Sequence, residues 1–152
     1  MALFFCNFPW KISVRIKIEF VYYIMYELNN LVSIVIPIYN ESESIELLTK
    51  EILDVMNSNN INFELILVND GSNDSTLQIL NELSLNIKEL NVLNLRKNYG
   101  QTAAMAAGFD YANGEIIISL DGDLQNDPND IPKLIQTIKD GYDLVCGWRF
   151  ER

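Results

Sequence analysis

Residues 32–41 read Val-Ser-Ile-Val-Ile-Pro-Ile-Tyr-Asn-Glu, and the first seven of them decide the fold class. Five of those seven are Val or Ile, with no apolar/polar alternation. A strand buried on both faces of a parallel sheet has this composition, because neither face meets water. The stretch that follows changes period. Ile45, Leu48, Ile52, Val55 and Met56 recur at three- and four-residue spacing, which predicts an amphipathic helix over Glu43 to Ser58. Ser42 or Glu41 opens it, and the Asn-Ser-Asn-Asn run at 57–60 closes it.

The same alternation runs on down the chain. Phe63 to Val68 (FELILV) reads as a second strand and Ser75 to Ile87 as a second helix, with Leu77, Leu80, Leu83 and Ile87 on one side. Leu90 to Leu95 is a short third strand. Gln101 to Ala112 is a helix dense in small residues (Ala103, Ala104, Ala106, Ala107, Gly108), which lets it lie close to the sheet. Glu115 to Leu120 is a fourth strand, Pro132 to Lys139 a helix, and Asp143 to Gly147 a fifth strand. A βαβ succession of this kind gives a mostly parallel α/β sheet with helices on both faces. No internal repeat, linker or low-complexity tract interrupts it.

Composition narrows the chemistry. The chain has 152 residues, enough for one α/β domain with a real core, and carries 11 Lys+Arg against 21 Asp+Glu for a formal charge of −10. Nucleic acid needs a basic footprint and an anionic lipid surface repels a chain so charged, so both are disfavoured as partners. There is no histidine. That excludes a Ser-His-Asp triad, a Cys-His pair and a His-bearing zinc site within this chain. Cys6 and Cys146 form no CxxC pattern and read as free thiols of a reducing compartment.

Residues 1–30 stand apart. They are aromatic-rich (Phe4, Phe5, Phe8, Trp10, Phe20, Tyr22, Tyr23, Tyr26) and hold three positive and two negative side chains, which leaves −11 for residues 31–152. The apolar run from Phe20 to Tyr26 is far short of the ~18 residues of a spanning helix. Three readings are open: an added strand or helix, a membrane-surface contact, or a poorly structured extension, of which the last is favoured.

In open α/β sheets ligands bind beyond the carboxyl ends of the strands. This chain places its unusual residues there: Pro37-Ile-Tyr-Asn-Glu41, Asn69-Asp-Gly-Ser-Asn-Asp74, Arg96-Lys-Asn-Tyr-Gly100, Asp121-Gly-Asp-Leu-Gln-Asn-Asp127 and Gly147-Trp-Arg149. Turn chemistry accounts for Gly71, Asn73 and Asn126. It does not account for Asp121 and Asp123, two carboxylates flanking Gly122 directly after an apolar strand, whose repulsion calls for a cation. Oxygen ligands from Asp121, Asp123 and Gln125 suit Mg²⁺ or Mn²⁺. An EF-hand fails on Asn126 and Pro132 at its sixth and twelfth positions. No G-x-x-x-x-G-K-[ST] and no G-x-G-x-x-G occurs, so P-loop and dinucleotide readings lack their signature. Tyr39 suits packing on a nucleobase, Asp70 suits accepting from a base edge or ribose, and Arg149 suits a phosphate.

Val32–Glu41, Val68–Asp74, Arg96–Gly100, Asp121–Gln125 and Gly147–Arg149, in this order, resemble the family-2 glycosyltransferases of the GT-A fold, and among them the dolichyl- and undecaprenyl-phosphate sugar transferases. By this resemblance residues 31–152 form a donor-binding domain. Pro37, Tyr39, Glu41 and Asp70 would hold the nucleotide, with Val68 lining the base pocket. Asp121 and Gly122 would contact ribose and diphosphate, Asp123 and Gln125 would ligate the metal, and Arg149 would bind phosphate. Asp123 takes the catalytic role through that metal. The implied reaction moves a sugar from a UDP- or GDP-linked donor to a polyprenyl phosphate with inversion. Such an acceptor, already ionised near neutral pH because its second pKa is about 6, needs no protein base. The family continues beyond the Gly-Trp-Arg segment with acceptor-site residues and often membrane helices, so the chain is expected to be C-terminally incomplete. Its full-length form is expected at the cytoplasmic face of a membrane. The alternatives are a module that only binds the nucleotide sugar and, far behind, a nucleotidyltransferase, which would need a basic glycine-rich loop where Glu41 stands.

Overall fold

A computed structural model describes residues 31–147. The 1–30 extension and Arg149 lie outside the described residues. Strand β1 (Val32–Ile38) leads to helix α1 (Ile45–Ser58), β2 (Phe63–Asn69), α2 (Thr76–Asn86), β3 (Leu90–Asn94), α3 (Gln101–Tyr111) and β4 (Ile116–Ser119). A 3₁₀ turn (Pro128–Asp130) then leads into α4 (Ile131–Lys139). The four strands form one sheet in the order β3-β2-β1-β4, and every pairing is parallel.

The unbroken apolar runs fall on the central strands, as their composition requires. All seven residues of β2 are buried, and in β1 only Pro37 is not. Strand geometry sends alternate side chains to opposite faces. Ile34, Ile36, Ile38, Leu65 and Leu67 meet Ile45, Leu48, Ile52 and Met56 of α1, Leu80 of α2, and Ile131 and Ile135 of α4. Val35, Ile66 and Val68 point the other way, under Ala104 and Ala107 of α3. Burying each such Ile or Leu contributes about 1.5–3 kcal/mol, so the α1/α2/α4 layer carries most of the stability. The α3 layer is thin, and thinness brings it close. A Cβ at Gly108 would stand 2.3 Å from Val35 Cγ1 and 3.1 Å from Val68 Cγ2.

The end of the sheet opposite the strand C-termini is fastened by polar groups. Ser33 Oγ donates to the buried Glu64 Oε1 at 2.6 Å and accepts from Gly114 N at 2.8 Å, while Glu64 Oε1 also accepts from Asn113 N at 2.7 Å. Glu64 is thereby satisfied inside the sheet, and the turn that feeds β4 is fixed against β1.

Two expectations need correction. Asp143 to Gly147 forms no strand. Pairing makes a strand, and a five-residue run bracketed by Gly141 and Gly147 has no intrinsic preference strong enough to impose one. Leu144 and Tyr142 stay 81% and 62% exposed, and the segment instead walls a groove of about 610 Å³ beside β4 and α4. Helix α1 begins at Ile45 with Ser44 as its N-cap, two residues later than the periodicity predicts. The Ser44 hydroxyl makes no capping bond to the helix and donates to Glu41 Oε2 at 2.6 Å.

Candidate functional site

The C-terminal ends of β1, β2 and β4 enclose a cleft of about 420 Å³. Pro37, Ile38, Tyr39 and Glu41 come from the end of β1 and Asp70 from the end of β2. Asn98, Gly100 and Gln101 come from the β3–α3 connection, and Asp121, Gly122 and Asp123 follow β4. Four loops distant in sequence therefore meet where the parallel topology directs them.

Each loop is held by identifiable bonds. In the first, Glu41 N donates to Thr76 Oγ1 at 2.9 Å and Asn40 N to Ser72 Oγ at 2.9 Å. Asn40 takes a left-handed φ of 57°, which Asn tolerates better than other non-glycine residues. The second loop rests on the third. Asn69 Nδ2 donates to Asn94 Oδ1 at 2.7 Å, and a Cβ at Gly71 (φ +66°) would lie 2.4 Å from the Lys97 carbonyl carbon. Only glycine fits there. Asp70 is 3% exposed, and its two oxygens accept from Tyr99 N at 2.7 Å and Gly100 N at 2.8 Å.

In the fourth loop Gly122 is buried, and a Cβ would come within 2.8 Å of Ile38 Cδ1. The glycine seats the loop on β1 and leaves Asp121 and Asp123 exposed on either side. Gln101 Nε2 donates to Asp121 Oδ1 at 2.9 Å, and Gln125 N donates to Asp123 Oδ1 at 3.0 Å across Leu124, itself at φ 60°. A bulky residue in the left-handed region costs about 1–3 kcal/mol, so the surrounding bonds must hold this turn in place.

The electrostatics are one-sided. Glu41, Asp70, Asp121 and Asp123 line the cleft, and among the described residues no Lys or Arg joins them in its lining. Asp74, just before α2, is held down to about 2 by hydrogen bonds from the Thr76 side chain and amide and from Ser42, against a smaller opposing effect of burial. Asp127, which caps the 3₁₀ turn, is lowered by the amide and side chain of Asn129. Among the described residues no group of three His, Cys, Asp or Glu converges on a metal position. The hard oxygens of Asp121 and Asp123 nonetheless fit an ion of the Mg²⁺ class, which binds through one or two carboxylates and completes its shell with phosphates and water.

Of the residues singled out from sequence, Pro37, Tyr39, Glu41, Asp70, Asp121, Gly122 and Asp123 come together in this cleft. Gln125 is tied to Asp123 through its backbone but is not a lining residue. Val68, expected in a base pocket, lies fully buried beneath α3 instead, because its place in the alternation of β2 turns it to that face. Gln101 and Asn98 were not anticipated. Asn98 sat inside a quoted motif, whereas Gln101 carried no signal beyond following it.

The family model "Glycosyl transferase family 2" matches residues 33–152. The undecaprenyl-phosphate 4-deoxy-4-formamido-L-arabinose transferase of Proteus mirabilis is 44% identical over 122 residues, covering 79% of this chain and 37% of that protein. The dodecaprenyl-phosphate galacturonate synthase of Rhizobium johnstonii is 44% identical over 124 residues, covering 79% and 36%. The chain therefore spans well under half the length of these relatives. Among solved structures, S. aureus TarS 1-349 in complex with UDP is 25% identical with a TM-score of 0.56, covering 72% of this chain and 32% of that one. The mannosyltransferase from Pyrobaculum calidifontis in complex with GDP-Man and Mn²⁺ has a TM-score of 0.63 at 21% identity, over 72% and 32%, a likeness of fold. The parallel four-stranded sheet with its packed helices is the GT-A fold of these structural neighbours, and the chain belongs to glycosyl transferase family 2.

Proposed function

We propose that this chain binds a nucleotide-diphosphate sugar, UDP- or GDP-linked, and serves a glycosyltransferase that passes the sugar with inversion to a polyprenyl phosphate. The observation that carries the reading is the convergence of Glu41, Asp70, Asp121 and Asp123 on one cleft. Four carboxylates at one edge suit a ligand that arrives with its own cation and offers hydroxyls and a ring to the rest.

Tyr39, 42% exposed at the mouth, offers its ring to the base, with Pro37 beside it. Glu41, fixed by Thr76 and Ser44, offers a carboxylate to ribose hydroxyls. Asp121 and Gly122 face ribose and diphosphate, and Asp123, with Gln125 next to it, faces the diphosphate. Mg²⁺ or Mn²⁺ held by Asp121 and Asp123, with Gln125 as a further oxygen donor, would supply the positive charge that stabilises the leaving nucleoside diphosphate. Arg149 is assigned a phosphate contact. The relatives' names support the acceptor class, since both carry a polyprenyl phosphate. Among the described residues no helix is long and apolar enough to cross a membrane, and a place at the cytoplasmic face is proposed from the acceptor alone.

The alternative reading is a module that holds the nucleotide sugar without transferring it. Calorimetry of residues 1–152 with UDP- and GDP-sugars, with and without Mn²⁺, tests the shared claim. Metal-dependent binding of one of them is expected, and no binding to any would overturn it. Sugar transfer to a polyprenyl phosphate by this chain alone would exclude the binding-only reading.

A further inference from the structure

Ser44 stands at the N-cap of α1, where a serine ordinarily accepts from a free amide of the first turn. Its side chain makes no such bond. The Glu41 carbonyl accepts from Ser44 N and Ile45 N at 3.2 and 3.1 Å, so backbone anchors the turn that leads into the helix. The hydroxyl lies between two of the cleft's loops. Its nearest acceptor is Glu41 Oε2 at 2.6 Å, with the Gly122 carbonyl at 3.1 Å and the Glu41 carbonyl at 3.3 Å. A hydroxyl has one proton to give. A separation of 2.6 Å to a carboxylate oxygen is that of a charge-assisted bond, so the proton goes to Glu41 and the two carbonyls are the alternatives. The loops meet at this same point, since a Cβ on Gly122 would stand 3.6 Å from Glu41 Cγ. Glu41 lines the cleft, and a carboxylate held through one oxygen keeps its remaining acceptor sites for a ligand.

We propose that Ser44 is a positioning residue of the nucleotide site: it holds the Glu41 carboxylate in one arrangement beside the Gly122 turn, and its hydroxyl serves the cleft rather than the helix. The inference rests on the nucleotide-binding reading and adds to it a residue from outside the cleft lining. Glu41 has three side-chain torsions to fix. Freed of Ser44 it regains rotamers that a ligand must freeze again, which lowers affinity by roughly 3- to 10-fold.

Ser44→Ala and Ser44→Thr in the chain of residues 1–152 test this, the first removing the hydroxyl and the second restoring it. In the ligand-free chain, Ser44→Ala should shift the ¹³C resonance of the Glu41 carboxyl. It should leave amide exchange unchanged at Leu48, whose N donates to Ser44 O in the first turn of α1; loss of a helix cap would speed that exchange roughly 5-fold. Calorimetry with Mn²⁺ and whichever of UDP or GDP the wild type binds should show Ser44→Ala weaker by roughly 3- to 10-fold and Ser44→Thr close to wild type. Four results would each overturn the positioning role: an unmoved Glu41 resonance, faster exchange at Leu48, unchanged affinity in Ser44→Ala, or a threonine variant as weak as the alanine one. A wild-type chain that binds neither nucleotide would instead fail the reading of the cleft, and the role of Ser44 would fall with it.

Discussion

Gly108→Ala is the most demanding test of how α3 sits on the sheet. The added Cβ would stand 2.3 Å from Val35 Cγ1 and 3.1 Å from Val68 Cγ2, whereas carbon atoms in contact prefer ~3.5–4.0 Å. The shortfall at Val35 is therefore more than about 1 Å. Val35 is fully buried in β1 and β-branched, so its restricted χ1 gives it little room to turn away. The helix must lift instead, loosening Ala104 from Ile66 and Val68. Overpacking of this kind costs about 1–3 kcal/mol, more when backbone has to move. Helix propensity works in the opposite direction, favouring Ala over Gly by about 1 kcal/mol. The net expectation is a loss of about 2 kcal/mol, or roughly 8 °C in Tm for a domain of this size. Urea unfolding with an unchanged slope would measure it. Ala106→Gly, at an exposed position of the same helix, isolates the propensity contribution and should lose about 1 kcal/mol. A Gly108→Ala variant more stable than wild type would show that propensity outweighs packing and refute the close approach of α3.

Three further substitutions or titrations probe other parts of the account. Thr49 Oγ1 is buried on α1 with no hydrogen-bond partner among the described residues, so Thr49→Val should raise stability in thermal unfolding by about 1 kcal/mol, and a loss would mean that the hydroxyl is satisfied. Ser33→Ala removes a donor to Glu64 and an acceptor from Gly114 N; denaturant unfolding should show a loss of about 1–3 kcal/mol, with the turn before β4 exchanging its amides faster. For Asp74 the folded carboxyl is lowered from 3.8 to about 2, so its contribution is complete above the unfolded value and fades as pH falls through 3.8 toward 2. Because the group is exposed, solvent screening holds that contribution to no more than about 1 kcal/mol. Asp74→Asn should therefore lower stability near neutral pH by up to about 1 kcal/mol, flatten the acid limb of a pH–stability profile, and leave stability near pH 2 almost unchanged.

The strand runs and helix periods were legible because burial acts through composition: β1 and β2 announce two buried faces by lacking polar alternation. That same uniformity hid which face each residue takes. Val68 could be read as pocket-lining or as core, and only its register in β2 places it under α3. Asp121 and Asp123 were readable because paired carboxylates after an apolar strand make poor sense without a cation. Gln101 was not, since its bond to Asp121 depends on how closely α3 lies to the sheet, and that distance is set by Gly108 and two buried valines. The fifth strand failed for a related reason. Pairing is decided across the sheet, and five residues ending in Gly147 say nothing about a partner.

The central claim is that Asp121 and Asp123 place a divalent cation, together with a nucleoside diphosphate, at the shared end of β1, β2 and β4. Paramagnetic broadening of backbone amide resonances by Mn²⁺ in the presence of UDP locates that cation directly. The account predicts broadening at residues 39–41, 98–101 and 121–125 and none at Asn113 to Glu115, at the opposite end of the sheet, with the effect lost in Asp123→Ala. Broadening that is absent, centred elsewhere, or unchanged by Asp123→Ala would contradict it.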